Sequence, residues 1–194
     1  MTTKPSIQPE YFDALYERDP DPWRFETSWY EAWKYRATLG ALPRRRYRSG
    51  FEVGCSIGVL TRKLARRCDR LLAVDVTERA LAQAAERCRG LSRIRFARMQ
   101  VPDELPDENF DLIVLSEVAY FWAMPDLDRM IAWACRRCDE GGTIVLVHWT
   151  LETEFPLTGD EVHDRFLAAP LLVRLKDRRK KKYRLTVLAR RENR

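Results

Sequence analysis

Gly54 and Gly58 follow a short apolar run, and Asp75 closes the next one, 21 residues after Gly54. Glycine lets backbone approach a ligand where a Cβ would collide. A helix starting near Gly58 would turn its positive N-terminal end toward the same place. A carboxylate at Asp75 can accept hydrogen bonds from both hydroxyls of a ribose. Together, a glycine loop after one strand and an acid ending the next read as a site for an adenosine-containing ligand. The glycines are spaced G-x-x-x-G, whereas seating a pyrophosphate calls for G-x-G-x-x-G. Taken singly, each feature has a plainer reading: Asp75 as a helix cap, the glycines as turn residues.

The elements that must position these residues follow from hydrophobic periodicity. Residues 9–17 form a short amphipathic helix, broken by Asp19-Pro20-Asp21-Pro22. Thr27 or Ser28 caps a second helix running to Leu39, with Gly40 as its stop. From residue 49 onward strands and helices alternate. Strands are expected at 49–53, 70–76, 92–99, 110–116 and 143–148, and helices at 58–67, 78–88, 127–138 and 159–167. A glycine turn at Glu140-Gly141-Gly142 precedes the fifth strand, and residues 171–190 read as two strands joined by a lysine-rich turn. The nearly continuous apolar stretch at 110–116 requires a sheet covered on both faces. The pattern predicts an α/β doubly wound, mostly parallel sheet ending in an antiparallel hairpin. One compact domain is expected, with a helical lid or appendage at 1–42 and the ligand-binding body at 43–194. Ligands in such sheets bind beyond the C-terminal strand ends.

The net charge of +6 is unevenly placed. Between Arg174 and Arg194 there are eleven Lys/Arg and two Asp/Glu, so the rest of the chain is mildly acidic. That excludes the uniform basicity that coats nucleic acid. The run Arg178-Arg179-Lys180-Lys181-Lys182 falls on the last hairpin, expected away from the ligand end of strands one and two. It reads as a solvated tip, or as a contact for an acidic substrate, an anionic membrane or RNA. No apolar run is long enough to span a bilayer. The stretch Met1-Thr2-Thr3-Lys4-Pro5-Ser6 lacks the apolar core of a signal peptide. Five scattered cysteines (Cys55, Cys68, Cys88, Cys135, Cys138) read as reduced thiols, which points to the cytoplasm. Cys135 and Cys138 have CxxC spacing but no companion ligands, and read as incidental helix residues.

Glu52-Val53-Gly54-Cys55-Ser56-Ile57-Gly58 resembles the E/D-x-G-x-G-x-G motif of class I S-adenosylmethionine-dependent methyltransferases, with Ser56 in place of the middle glycine. Phe110-Asp111 through Ser116-Glu117 resembles that family's fourth-strand motif, and Gly141-Gly142-Thr143 opens a segment like its fifth strand. Outside this core, Asp21-Pro22-Trp23-Arg24-Phe25, Ser28-Trp29-Tyr30-Glu31, Lys34-Tyr35 and Thr38-Leu39 resemble the N-terminal signature of NodS-type methyltransferases. His148-Trp149 and Phe155-Pro156 through Gly159-Asp160 and His163 resemble their signature after strand five.

The resemblance implies a seven-stranded Rossmann-like fold, S-adenosyl-L-methionine as cofactor and S-adenosyl-L-homocysteine as product. It implies cofactor contacts from Glu52, Gly54, Cys55, Ser56, Gly58, Asp75, Val76, Met99, Gln100 and Ser116. Lys34 is a candidate for the cofactor carboxylate and Trp23 for an aromatic lid. The implied reaction is N-methylation of an amine on a small molecule or oligosaccharide, such as a deacetylated amino sugar. O-methylation of a small natural product is the alternative, as is nucleic-acid methylation through the basic hairpin. The latter is disfavoured because Ser116-Glu117-Val118-Ala119-Tyr120 is not the [DN]-P-P-[YFW] of amino-directed nucleic-acid enzymes. A non-catalytic cofactor-binding module is a further alternative. The chain is expected to be a monomer or homodimer. For catalysis, His148 is the candidate to orient or deprotonate the acceptor, with Glu117 and Tyr120 beside it. The plainer readings are a structural histidine and a helix cap.

Overall fold

The computed structural model describes residues 4–192. Met1, Thr2 and Thr3 of the opening stretch, and Asn193 and Arg194 at the end of the expected body, lie outside the described residues. Two helices, α1 (Pro9–Arg18) and α2 (Trp29–Ala41), precede the sheet. The alternation then runs β1 (Tyr47–Val53), α3 (Val59–Leu64), β2 (Cys68–Asp75), α4 (Glu78–Arg87), β3 (Ile94–Arg98), β4 (Phe110–Ser116), α5 (Met124–Arg137) and β5 (Cys138–Trp149). It closes with α6 (Gly159–Leu167), β6 (Leu172–Arg179) and β7 (Tyr183–Arg190).

The seven strands lie in the order β3-β2-β1-β4-β5-β7-β6, as the doubly wound reading expects. β1 to β5 pair in parallel, whereas β7 runs antiparallel to both β5 and β6. Side chains alternate across the sheet. Ile113 and Leu115 of β4 pack with α5 and α6, and Leu112 and Val114 pack with α2 and α3. Burial on both faces explains why β4 is wholly apolar from Leu112 to Leu115. At its lower end, buried Asp111 accepts the backbone N–H groups of Arg48 and Ser49, both at 2.9 Å. That staple fastens β4 to β1. β2 pairs with the other side of β1, so the order in which strands are added reverses between β1 and β4. A crevice opens at the C-terminal ends of strands at such a reversal.

Several expected boundaries move. Gly40 does not stop α2, which runs on to Ala41 and ends just before Pro43. β5 starts at Cys138, so the glycine turn at 140–142 lies within the strand as an irregularity. Phe110 pairs with Cys138 while Leu112 already pairs with Thr143, and Gly141 relieves the mismatch at φ +67°. Cys138 is therefore a strand residue, and only Cys135 sits on a helix. A 3₁₀ turn at Ala119–Phe121, after β4, has no counterpart in the sequence pattern.

The basic hairpin is also placed differently. β7 is antiparallel to β5, so His148 pairs with Arg184 and Trp149 with Tyr183. The tip at 180–182 consequently stands at the C-terminal end of β5, the same end of the sheet as the crevice.

Candidate active site

A cavity of about 410 Å³ fills the crevice. Its wall includes Gly54, Ser56, Asp75, Val76, Met99, Gln100 and Ser116 from the strand ends. Trp23, Lys34, Glu117 and Tyr120 complete the expected residues that line it. Glu52, Cys55, Gly58 and His148, also expected at the site, do not line it.

Gly58 contributes through packing. It begins α3 at φ +79°, and a Cβ there would come within 2.8 Å of the Ala84 backbone on α4. The middle position of the loop, Ser56, takes φ +51°, a left-handed conformation that costs a non-glycine residue about 1 kcal/mol. Two contacts hold it there. Its N–H donates to Asp75 Oδ2 at 2.8 Å, and its Oγ hydrogen-bonds Tyr16 Oη at 2.5 Å. Serine thus links the loop to α1, which glycine could not do. Asp75 Oδ1 accepts from the Thr77 N–H at 3.2 Å. Burial pushes the Asp75 carboxyl up to about 6, against the pull of these backbone donors.

Glu52 lies beneath the loop, fully inside the protein, with Oε2 unpartnered. Burial pushes its carboxyl up to about 8, and nearby Asp75 adds to the shift. It therefore carries its proton at neutral pH. Because the folded pKa lies above the unfolded value, this group's stabilisation is complete below about 4.5 and is lost as pH rises through 8. Glu52→Gln is expected to raise stability by roughly 2–5 kcal/mol at pH 8, with the gain shrinking toward pH 5. Thermal unfolding at the two pH values checks this; equal stability at pH 8 would refute it.

Facing the glycine loop is a cluster that the sequence reading had only in part. Lys34, 2% exposed, donates to Glu31 Oε1 at 2.9 Å and to Glu117 Oε1. Glu31 and Lys34 meet because they stand three residues apart on α2. Glu117 adopts φ +55° and is held by further donors, Tyr120 Oη and the Trp149 N–H, both at 2.8 Å. Burial works against its charged form, but Lys34 and these donors keep its carboxyl below the usual range. Burial alone would lower the Lys34 ammonium; Glu117 and Glu31 more than reverse that. Glu31 titrates above the usual range because burial outweighs its bond to Lys34, and its Oε2 has no partner. Glu117 is thus a saturated anchor and not a free base. Lys34 lines the cavity as expected of a carboxylate binder, and two carboxylates of the protein already share it. Glu31, the cavity residue with an unsatisfied oxygen, carried no expected role. Its i, i+3 spacing to Lys34 was the available signal.

His148 is fully buried, and both ring nitrogens are engaged. The Ala119 N–H can only donate, at 3.2 Å, so Nε2 accepts and Nδ1 carries the proton. Nδ1 donates to His163 Nε2 at 3.1 Å, and His163 Nδ1 donates to Thr186 Oγ1 at 2.6 Å. The Thr186 hydroxyl ends the relay on Asp177 Oδ1 at 2.8 Å. Burial lowers the His148 imidazole to about 4 and depresses His163 further. The expectation that His148 faces the acceptor is corrected. It fixes the Ala119–Phe121 turn, which presents Tyr120 and Phe121 to the cavity.

The N-terminal elements form the outer wall. Trp23 stacks on Phe25 and meets Tyr16 edge to face, and all three line the cavity. Ile7 N–H donates to Phe121 O at 2.8 Å, tying the segment before α1 across the 3₁₀ turn. Tyr16 and Trp149 join the cavity without having been expected there.

The strand order and the glycine loop facing an acid at the end of β2 define a Rossmann-like methyltransferase fold. The model for the family Nodulation protein S (NodS) matches residues 12–135, and the chain belongs to that family. Nodulation protein S of Bradyrhizobium diazoefficiens is 38% identical over 112 residues, covering 55% of this chain and 53% of that protein. The chain spans about half the length of the curated relatives it matches. A candidate methyltransferase of Pseudomonas syringae, solved by crystallography, is 34% identical and covers 84% of this chain and 100% of its own, with a TM-score of 0.75. The N-methyltransferase NodS of Bradyrhizobium japonicum WM9, in complex with S-adenosyl-L-homocysteine, has a TM-score of 0.81 over 94% of this chain and 98% of that one. At 24% identity, that likeness shows the fold.

Proposed function

We propose that this chain is an S-adenosylmethionine-dependent methyltransferase that acts on an amine of a small molecule or oligosaccharide, in the cytoplasm. The observation that carries the reading is the cluster of Glu31, Lys34 and Glu117 in the cavity that Asp75 also lines. Two carboxylates around one ammonium leave the cluster a cation short, and a buried carboxylate oxygen without a partner is costly. A protonated amine supplies both the charge and the donor.

The residues present fit the cofactor. Gly54, at φ +69°, packs its bare Cα against Val118, where a Cβ would come within 3.0 Å, and it lines the cavity together with Ser56 and Asp75. Asp75 would receive the ribose hydroxyls, and Val76, Met99 and Gln100, which line the same cavity, would border the adenine. When bound, the cofactor supplies a methyl on a cationic sulfur, which passes to the nitrogen lone pair as the C–S electron pair returns to sulfur. Glu31 binds the acceptor nitrogen and takes its proton, because only a neutral amine can attack. Glu117 and Lys34 hold Glu31 in place, a positioning effect. The segment before residue 43 acts as a lid, with Tyr16, Trp23 and Phe25 excluding water.

Transfer of radiolabelled methyl to glucosamine and chitosan tetramer, N-acetylglucosamine, catechol and RNA tests the reading. Label is expected on the free amines and not on N-acetylglucosamine, whose amide nitrogen lacks an available lone pair. Label confined to catechol or RNA would overturn the amine assignment. Failure to bind S-adenosylhomocysteine in calorimetry would overturn the cofactor.

A further inference from the structure

The basic hairpin tip meets the cavity wall at a junction of aromatic rings. Lys182 Nζ lies 5.7 Å from the ring centres of both Tyr30 and Trp149. Lys34 Nζ, inside the cavity, lies 5.7 Å from the same Tyr30 ring. One aromatic ring therefore separates the tip from the carboxylate cluster. The Thr150 N–H donates to Lys182 O at 3.0 Å, which pins the tip to the chain leaving β5. Trp149 itself lines the cavity.

Two polar groups at this junction lack partners. Tyr30 Oη and Thr150 Oγ1 are buried, and neither makes a hydrogen bond among the described residues. Each hydroxyl can donate. The cations around them are also uncompensated. Arg179 pairs with Asp160, and Arg184 with Asp160, Asp164 and Asp177. Among the described residues, Arg178, Lys180, Lys181 and Lys182 have no carboxylate within salt-bridge distance. Lys182 is instead held against ring faces, the arrangement of a cation–π pair. A tip that served only for solubility would need neither the aromatic bed nor the idle hydroxyls.

We propose that this junction is an anion subsite at the mouth of the cavity, so that the acceptor carries a phosphate, sulfate or carboxylate group beside its amine. This rests on the amine reading above: the cationic end enters toward Glu31, and the anionic end is met by Lys182, Tyr30 Oη and Thr150 Oγ1. Arg178, Lys180 and Lys181 raise the local concentration of such acceptors by their field. The opposed charges of wall and mouth fix which end of the acceptor enters first.

Calorimetry with S-adenosylhomocysteine present, comparing glucosamine 6-phosphate with glucosamine, tests the subsite without needing turnover. The native chain is expected to bind the phosphate ester about tenfold more tightly at low salt, and less so at high salt. The variant carrying Arg178→Gln, Lys180→Gln, Lys181→Gln and Lys182→Gln should lose that preference while S-adenosylhomocysteine affinity stays unchanged. Phosphate preference in binding with no methyl transfer to either sugar would keep the subsite and refute the amine reading. Equal affinities in the native chain, or a preference that survives in the variant, would overturn the subsite. Tighter binding of poly(U) than of the sugar phosphate, abolished by the same substitutions, would overturn it in favour of RNA.

Discussion

Asp75→Ala is expected to weaken S-adenosylhomocysteine binding by at least about 100-fold in calorimetry. The carboxylate is asked to do two things at once. Under the proposed function it accepts the cofactor's ribose hydroxyls, and charge-assisted hydrogen bonds of this kind contribute about 1.5–3 kcal/mol each. It also accepts the Ser56 N–H at 2.8 Å and the Thr77 N–H at 3.2 Å, which shape the glycine loop. Alanine removes both roles and frees Ser56, already at φ +51°, to relax away from the cavity. Asp75→Asn separates the two, because the amide oxygen can still staple Ser56 while its NH₂ repels hydroxyl donors. An intermediate loss is expected for it. The native chain should also show pH dependence. With its carboxyl pushed up to about 6, Asp75 is increasingly protonated below that pH and loses acceptor capacity, so affinity should fall as pH drops through 6. Affinity that is flat between pH 5 and 7.5, or alanine within tenfold of native, would refute the assignment.

Glu31→Gln is expected to lower kcat for amine methylation by about 10²–10³-fold, with S-adenosylhomocysteine affinity kept. Glutamine is nearly isosteric, and Lys34 retains Glu117, so the cluster should persist as a neutral pair. What disappears is the charge that draws in an ammonium and the base that takes its proton. The pH profile distinguishes this from a structural effect. In the native chain kcat/KM should fall on the acid side as Glu31 is protonated, at a pH above the ordinary glutamate range because burial raises its carboxyl. That limb should vanish in the glutamine variant. Unchanged kcat, or an acid limb that survives, would remove Glu31 from the mechanism.

Much of the architecture is legible from local pattern because local forces decide it. β4 and α6 begin and end at Phe110–Ser116 and Gly159–Leu167, as the pattern predicts. One is a nearly continuous apolar run between polar flanks. The other opens with a capping box in which Thr158 and Glu161 satisfy each other's backbone groups. Boundaries that depend on a neighbour are less legible. α2 passes through Gly40 because nothing crowds it there, and β5 reaches back to Cys138 because β4 offers a pairing edge.

By itself, the sequence determined the class of fold and the glycine loop that precedes the strand ending in Asp75. These rest on short-range spacing and on periodicity, which survive without knowledge of distant contacts. Only the tertiary structure decided which polar residues are free to react. Glu117 lies 83 positions from Lys34, and their contact leaves Glu31 as the carboxylate with capacity to spare. His148 and His163, 15 positions apart, satisfy each other inside the core, so a histidine at a strand end becomes a prop for the 3₁₀ turn. The antiparallel entry of β7 carries the basic tip to the mouth of the cavity. Charge and residue type are written along the chain. Whether a group is saturated, buried or aimed at a ligand depends on partners that only folding brings within hydrogen-bond distance.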